Sequence, residues 1–320
     1  MTSDEHGESG RTRDRSVGNL SRNSSMNAML NRDFSASRRD LPIGVFDSGV
    51  GGLTVLRALR QHLPHERFTY LGDTARLPYG TKSRDSVLRY SVQATEFLIQ
   101  RGIKYLVIAC NTASSVAVEE LRARFAPVPV IGVIEPGAVA GCAASRSGHV
   151  AVIATEGTVQ GGAYQRAIAR IRPDAIVVAK ACSLFVALAE EGWTEGPIAE
   201  AIIHRYLDEV FRDHPAADTL LLGCTHFPLL FNALRAVVQP HIAIVDSAQT
   251  TALALAKDLA EQSLLRGPTQ NPSPLQLLAT DGPRRFAEVG CRFLGESFSQ
   301  EQVELVDLGL MQTRGETMSR

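Results

Sequence analysis

The stretch Tyr105-Leu106-Val107-Ile108-Ala109 runs directly into Cys110-Asn111-Thr112-Ala113-Ser114-Ser115, and in the second half Leu220-Leu221-Leu222-Gly223 runs into Cys224-Thr225-His226-Phe227-Pro228-Leu229-Leu230. In each, an apolar run of strand length ends on a small residue, then come a cysteine, polar residues and the start of a helical pattern. Runs that are apolar throughout suit strands buried under helices on both faces, so both stretches read as strand-then-helix units of a parallel sheet. One such cysteine is weak evidence, because free cysteine is among the most buried residue types. Two in matching contexts, beside Asn111 and His226, suggest one thiol on each side of a shared cleft, an arrangement for moving a proton.

The same grammar extends outward from these segments. Strands are expected at 43–46, 68–71, 130–133, 150–154, 175–179, 243–245 and 276–279, in addition to 105–109 and 219–222. Amphipathic helical stretches fall at 86–100, 114–125, 162–171, 197–211, 229–238 and 250–261. Short apolar runs alternating with helices give an α/β fold of mostly parallel sheets flanked by helices. An internal repeat refines it. Ile43-Gly44-Val45-Phe46 leads into Asp47-Ser48-Gly49, and 108 residues later Val152-Ile153-Ala154 leads into Thr155-Glu156-Gly157; the cysteines follow in the same order, 114 residues apart. Two pseudo-symmetric lobes with a site in the cleft between them are the expectation.

Composition sets the class. The 320 residues are 44% hydrophobic and 21% charged with a net charge of −1, enough for two ordinary domains and too neutral to attract nucleic acid or an anionic membrane. No apolar stretch approaches a membrane span and no secretory signal opens the chain, which predicts a cytoplasmic protein. Cysteines 110, 142, 182, 224 and 291 are odd in number and contain no CxxC pair, so neither a disulfide framework nor a metal site is signalled. Residues 1–40, with seven Arg against six acidic residues and no periodicity, read as a disordered N-terminal extension, although Met26 and Met29 leave room for a downstream start.

In open α/β sheets ligands bind beyond the carboxyl ends of the strands. Both cysteines fall there, where a helix amino terminus is expected to lower a thiol pKa and attract carboxylates. Thr112 and Thr225 have hydroxyls suited to capping those helices or binding an anion. Asp47-Ser48-Gly49-Val50-Gly51-Gly52 offers a carboxylate, a hydroxyl and a pliant turn, without the GK[ST] or GxGxxG of a nucleotide loop. Its glycines suit close approach of a small ligand, with Asp47 holding an ammonium group or positioning a proton; a plain helix-capping turn is equally compatible. Asp73-Thr74-Ala75-Arg76-Leu77-Pro78-Tyr79-Gly80 follows another strand, and its Pro-Tyr-Gly suits a rigid turn presenting N–H groups or the tyrosine hydroxyl, or a simple surface turn. Glu190 and Glu191 close an amphipathic stretch, where most acids are solvated charges.

Taken together, DSGVGG at 47–52, PYG at 78–80, ACNTAS at 109–114 and GCTHFPLL at 223–230 resemble the glutamate racemases of the cofactor-independent aspartate/glutamate racemase family, over roughly residues 43–310. The resemblance implies interconversion of L- and D-glutamate, supplying D-glutamate for peptidoglycan, without pyridoxal phosphate, metal or other cofactor. It implies acid/base roles for Cys110 and Cys224, with Cys224 acting on the L-enantiomer, and assistance from Asp47 and His226. Substrate contacts carried over by motif are Asp47, Ser48, Pro78, Tyr79, Gly80, Asn111, Thr112, Thr225 and His226. It further implies a first lobe of residues 41–134 plus 246–310, a second of 135–245, a flexible tail over 311–320, and a homodimer. Long amino-terminal extensions in some members accompany control by a peptidoglycan precursor. One departure stands out: where the family often has CPLFVPLVE, this chain has Cys182-Ser183-Leu184-Phe185-Val186-Ala187-Leu188-Ala189-Glu190, which leaves the supporting role of Glu190 open. An aspartate racemase, or a bilobal amino-acid receptor without chemistry, are the alternatives; paired thiols are superfluous to the receptor.

Overall fold

The computed structural model describes residues 38–268 and 274–309. Of the disordered extension expected over 1–40, residues 1–37 lie outside the described residues, while Arg38–Asp40 form an ordered 3-10 turn whose Arg39 carbonyl is held by Lys104; the tail expected over 311–320 also lies outside the described residues. Nine apolar runs form strands where the sequence predicts them: β1 (Ile43–Asp47), β2 (Phe68–Gly72), β3 (Tyr105–Ile108), β4 (Val130–Gly132), β5 (His149–Ala154), β6 (Ile176–Ala181), β7 (Thr219–Gly223), β8 (Ala243–Asp246) and β9 (Leu275–Ala279). The sequence offers no apolar run to announce β10 (Val303–Leu305), two of whose three residues are exposed. Among the described residues eleven α-helices accompany them: α1 (Leu53–His62), α2 (Arg84–Gln100), α3 (Asn111–Arg124), α4 (Ile134–Ala144), α5 (Glu156–Gly161), α6 (Ala163–Ile171), α7 (Leu184–Glu191), α8 (Pro197–Asp213), α9 (Phe231–Val237), α10 (Ser247–Glu261) and α11 (Pro283–Leu294).

Every strand pairing among the described residues is parallel, and the strands divide into two sheets, β10-β9-β2-β1-β3-β4 and β6-β5-β7-β8. The repeat is visible in that order. Read from β2, the first sheet runs second, first, third, fourth strand; from β6, the second sheet does the same. Parallel strands need crossover helices, and these bury both faces. On one face of the first sheet Leu56 and Leu59 of α1, Leu255 and Leu259 of α10 and Phe286 and Phe293 of α11 share one apolar cluster. On the second sheet Phe185 of α7, Ile203 and Leu207 of α8 and Leu234 of α9 pack one face, while Ile134 and Ala138 of α4 and Tyr164 and Ile168 of α6 pack the other.

Register places the chemistry. Asp47 pairs with Gly72 and Phe46 with Ile108, so Asp47, Asp73 and Cys110 emerge side by side from one carboxyl edge. In the second sheet Ala154 pairs with Ala181 and Gly223, which brings Thr155, Cys182 and Cys224 to the matching edge.

At the amino edge of the first sheet a buried ion pair ties together the segments around Arg39 and Leu264. Lys104, just before β3, donates to the Glu66 carboxylate, to the Arg39 carbonyl at 2.7 Å and to the Leu264 carbonyl at 2.9 Å; Glu66 also accepts the Arg266 N–H at 2.8 Å. Both side chains are about fully enclosed, at 0% and 1% exposure. Removing one partner leaves the other charge buried and unpaired, which typically costs about 3–5 kcal/mol. Lys104→Ala is therefore expected to lower the unfolding free energy by about that much in urea titration, and a change below about 1 kcal/mol would contradict the pairing.

Candidate active site

The first carboxyl edge gathers a carboxylate and a thiol. Asp47 ends β1 with 1% exposure; its Oδ2 accepts the Gly49 N–H at 2.9 Å, and its Oδ1 finds no hydrogen-bond partner among the described residues. Tyr70 fixes the same turn by donating to the Gly49 carbonyl at 2.8 Å. Cys110 caps α3: its Sγ accepts the Ala113 N–H at 3.4 Å and lies 3.6 Å from the Ser48 hydroxyl. Asn111 follows, with Oδ1 held at 2.7 Å by Tyr164 and Nδ2 buried without a partner among the described residues.

The second edge carries a thiol and an imidazole. Cys224 Sγ lies 3.8 Å from His226 Nδ1, and His226 Nε2 lies 3.1 Å from Glu190 Oε1 at the end of α7. Helix α11 closes over this dyad. Phe293 meets the His226 ring edge-on at 5.1 Å, Arg285 reaches Glu190 Oε2 at 3.5 Å, and Arg292 donates to the Glu190 carbonyl.

The two edges are pressed together where side chains are missing. A Cβ on Gly51 would stand 2.3 Å from Thr225 Oγ1 and 2.5 Å from His226 Nδ1, and one on Gly80 would stand 2.8 Å from the Thr155 Cβ. Thr54 of α1 donates to the Thr225 carbonyl at 2.9 Å, and Thr112 hydrogen-bonds Thr155 at 3.0 Å and Thr158 at 3.2 Å. These contacts join residues from both sheets around the two sulfurs. A separate cavity of about 880 Å³, lined by Val128, Pro129, Val139 and Leu253 among others, touches none of the candidate residues.

The buried groups at the two edges shift one another. Burial pushes the Cys110 thiol up to about 12, and the neighbouring Asp47 charge adds to that, against weaker help from the Ala113 N–H. Burial likewise raises the Asp47 carboxyl, against the pull of His226 and the Gly49 amide. For His226 burial opposes the charged form, but the hydrogen bonds to Cys224 and Glu190 outweigh it and raise the imidazole to about 10. Glu190 is correspondingly lowered, first by its hydrogen bond to His226. Cys110 is thus a neutral thiol beside an acid, and Cys224 faces an imidazolium.

Known proteins are similar to this chain in sequence and fold. A model of the Asp/Glu/Hydantoin racemase family matches residues 53–255. The chain belongs to that family. A glutamate racemase of Geobacter metallireducens is 49% identical over 253 residues, spanning 79% of this chain and 92% of its own. Among solved structures, the glutamate racemase of Thermus thermophilus in complex with beta-chloro-D-alanine is 42% identical with a TM-score of 0.75, covering 84% of this chain and 98% of its own. That of Francisella tularensis in complex with D-glutamate is 35% identical with a TM-score of 0.77, covering 85% and 99%.

Within this racemase family member, most motif residues lie together at the two carboxyl edges, and the structure differs from the sequence expectations in five respects. The α-helix beginning beside a thiol exists only at Cys110; after Cys224 comes a 3-10 turn, Phe227–Leu230 with Pro228 in it, and α9 starts at Phe231. The expected lowering of the thiol pKa is reversed at Cys110, because burial and Asp47 outweigh one N–H at a helix end. Thr112 does not cap α3: the Cys110 sulfur does, and the threonine hydroxyl turns to Thr155 and Thr158. The Tyr79 hydroxyl is also spoken for, since the ring is buried and donates to Asp73, leaving the Pro78-Tyr79-Gly80 backbone against the second sheet. Asp47 is not a helix cap, that position before α1 being Gly52. Glu190, whose role the altered 182–190 segment leaves open, does reach His226. The sequence reading missed Thr54, Thr155, Tyr164 and Phe293; only Thr155 had a signal, as the repeat partner of Asp47.

Because the folded imidazole is raised from 6.5 to about 10, His226 stabilises the fold fully below pH 6.5, and that contribution is lost as pH rises toward about 10. The stability difference between the wild type and His226→Asn, from urea unfolding at several pH values, is expected to shrink across this window. A difference that stays flat or grows would show that His226 is neutral in the fold.

Proposed function

We propose that this protein is a glutamate racemase that inverts the α-carbon by proton transfer between two thiols. The observation that carries the proposal is the placement of Cys110 and Cys224 at equivalent strand ends of two copies of one four-strand pattern, drawn together by the Thr54–Thr225 and Thr112–Thr155 bonds. In the L-to-D direction the Cys224 sulfur, as thiolate beside the His226 imidazolium, removes the α-proton. The carbanion is then protonated from the opposite face by Cys110, whose thiol burial keeps in the protonated form a donor needs. The return reaction exchanges the roles. The α-proton is only weakly acidic, and a dry site with fixed donors offsets part of that barrier.

Asp47, with one buried oxygen unpartnered, would hold the substrate ammonium and steer Cys110, while Glu190 would hold His226 toward Cys224. Asn111 Nδ2, Ser48, the Pro78-Tyr79-Gly80 backbone, Thr112 and Thr225 would receive the carboxylates. No step of this scheme calls for a cofactor. The lobes would be residues 41–134 with 246–310, and 135–245, meeting at the substrate. Production of D-glutamate for peptidoglycan in the cytoplasm, by a homodimer, follows from the motif resemblance. Among the described residues no helix is long and apolar enough to cross a membrane.

Circular dichroism of L-glutamate and, separately, L-aspartate with reduced protein and no added pyridoxal phosphate or metal tests the substrate. Signal should decay with glutamate alone. Decay with aspartate would move the assignment to that substrate, and no decay would favour a receptor. Cys110→Ser and Cys224→Ser should each lower kcat by about 10²–10⁴-fold while D-glutamate still binds by calorimetry; turnover within tenfold of wild type in either variant would rule out the two-thiol scheme.

A further inference from the structure

Tyr164 is a fully enclosed residue of α6, at 1% exposure, that no active-site motif announces, yet it touches both cysteine turns. Its hydroxyl donates to Asn111 Oδ1 at 2.7 Å, one residue after Cys110. Its ring lies on Gly223, one residue before Cys224: a Cβ there would stand 2.9 Å from Tyr164 Cε2 and 3.0 Å from the Ile153 carbonyl. A second glycine shapes the slot, since a Cβ on Gly137 would meet the same ring and hydroxyl at 3.3 Å. Burial raises the Tyr164 hydroxyl, and the Ser247 side chain, at the start of α10, pulls it the other way.

The chemistry of the amide makes this contact directional. A carboxamide has an accepting oxygen and a donating NH₂ on opposite corners. The tyrosine hydroxyl donates its proton to Asn111 Oδ1, so the Asn111 NH₂ is turned the other way. That NH₂ is buried and has no partner among the described residues. Leaving such a donor unsatisfied is costly, so a built orientation that maintains it implies an acceptor that arrives with the ligand.

We propose that Tyr164 is a positioning residue: it locks the Asn111 amide so that Nδ2 donates to a substrate carboxylate, and its ring sets the spacing between the Cys110 and Cys224 turns. This rests on the glutamate racemase assignment for the identity of the acceptor. Tyr164 acts on binding through Asn111 and does not itself touch the reacting atoms.

Tyr164→Phe keeps the ring and removes only the orienting hydroxyl. The expected result is a KM for both glutamate enantiomers raised about tenfold, the size of one buried hydrogen bond, with kcat within about threefold of wild type. In an Asn111→Ala background the same substitution should leave KM unchanged, because the group it orients is gone. Ser247→Ala should give the same split at smaller size, and decides the matter if Tyr164→Phe does not fold. An unchanged KM, a loss confined to kcat, or a full tenfold effect persisting in Asn111→Ala would each overturn the proposal. Should the wild type fail to racemise glutamate, the functional assignment falls separately. The orienting role is then read from the Asn111 side-chain amide resonance, identified by its loss in Asn111→Asp: it should move in Tyr164→Phe, and an unmoved resonance sinks the inference.

Discussion

The closest approach between the two sheets depends on atoms that are not there. Gly51 and Gly80 bring bare backbone against Thr225, His226 and Thr155 at distances no Cβ could share. Because the edges meet this tightly, Asp47, Cys110, Cys224 and His226 lose water. Their electrostatics are then set by each other rather than by solvent. The high thiol at Cys110 descends from that dryness, whereas His226 stays charged against it through its hydrogen bonds to Cys224 and Glu190. A looser junction would readmit water and let the Cys110 thiol fall back toward its ordinary range.

The first sheet separates its tasks by edge. At the amino ends of the strands Lys104 and Glu66 are closed into a pair with further partners in the Arg39 and Leu264 carbonyls and the Arg266 amide. At the carboxyl ends, Asp47 Oδ1 and Asn111 Nδ2 are buried with nothing among the described residues to bond them. Orphaned polar atoms destabilise a fold, so the satisfied edge helps to offset the unsatisfied one. That division is common where a binding site is pre-organised: rigidity is supplied at a distance, and the cost of exposed bonding capacity is concentrated where a ligand can relieve it.

Much of this was legible in the sequence because parallel strands advertise themselves as apolar runs, and nine of the ten strands among the described residues are such runs. The internal repeat was legible for the same reason, since the Cys110 and Cys224 turns each follow a buried strand of the same sheet position. What stayed hidden was whatever tertiary contact alone decides. Tyr164 looks like any helix aromatic until Gly223 and Gly137 leave room for its ring. Phe293 and Arg285 meet His226 and Glu190 from a helix about sixty residues beyond the second cysteine turn, with no local mark. The direction of the Cys110 shift was misjudged because a helix terminus can be seen in sequence, whereas enclosure by a neighbouring sheet and an adjacent carboxylate cannot. Helix α4 opens on Ile134-Glu135-Pro136-Gly137, a string that suits a turn equally well; only packing keeps its first turn helical, where the missing proline N–H costs nothing.

The repeat is geometric, not chemical: the first strand of one sheet ends on Asp47 and that of the other leads into Thr155, while the imidazole stands beside only one sulfur. For a racemase this inequality has a strict thermodynamic bound. Mirror-image molecules have the same free energy in water, so the equilibrium between them is fixed at equal amounts, whatever the protein does. The ratio kcat/KM must then be identical for the two directions. An unequal pair of half-sites can act only on how that common ratio is divided. It can hold one enantiomer tightly and turn it over slowly, and hold the other loosely and turn it over fast. On the two-thiol proposal, the asymmetric surroundings of Cys110 and Cys224 would therefore leave the end point untouched and set which enantiomer saturates the protein first.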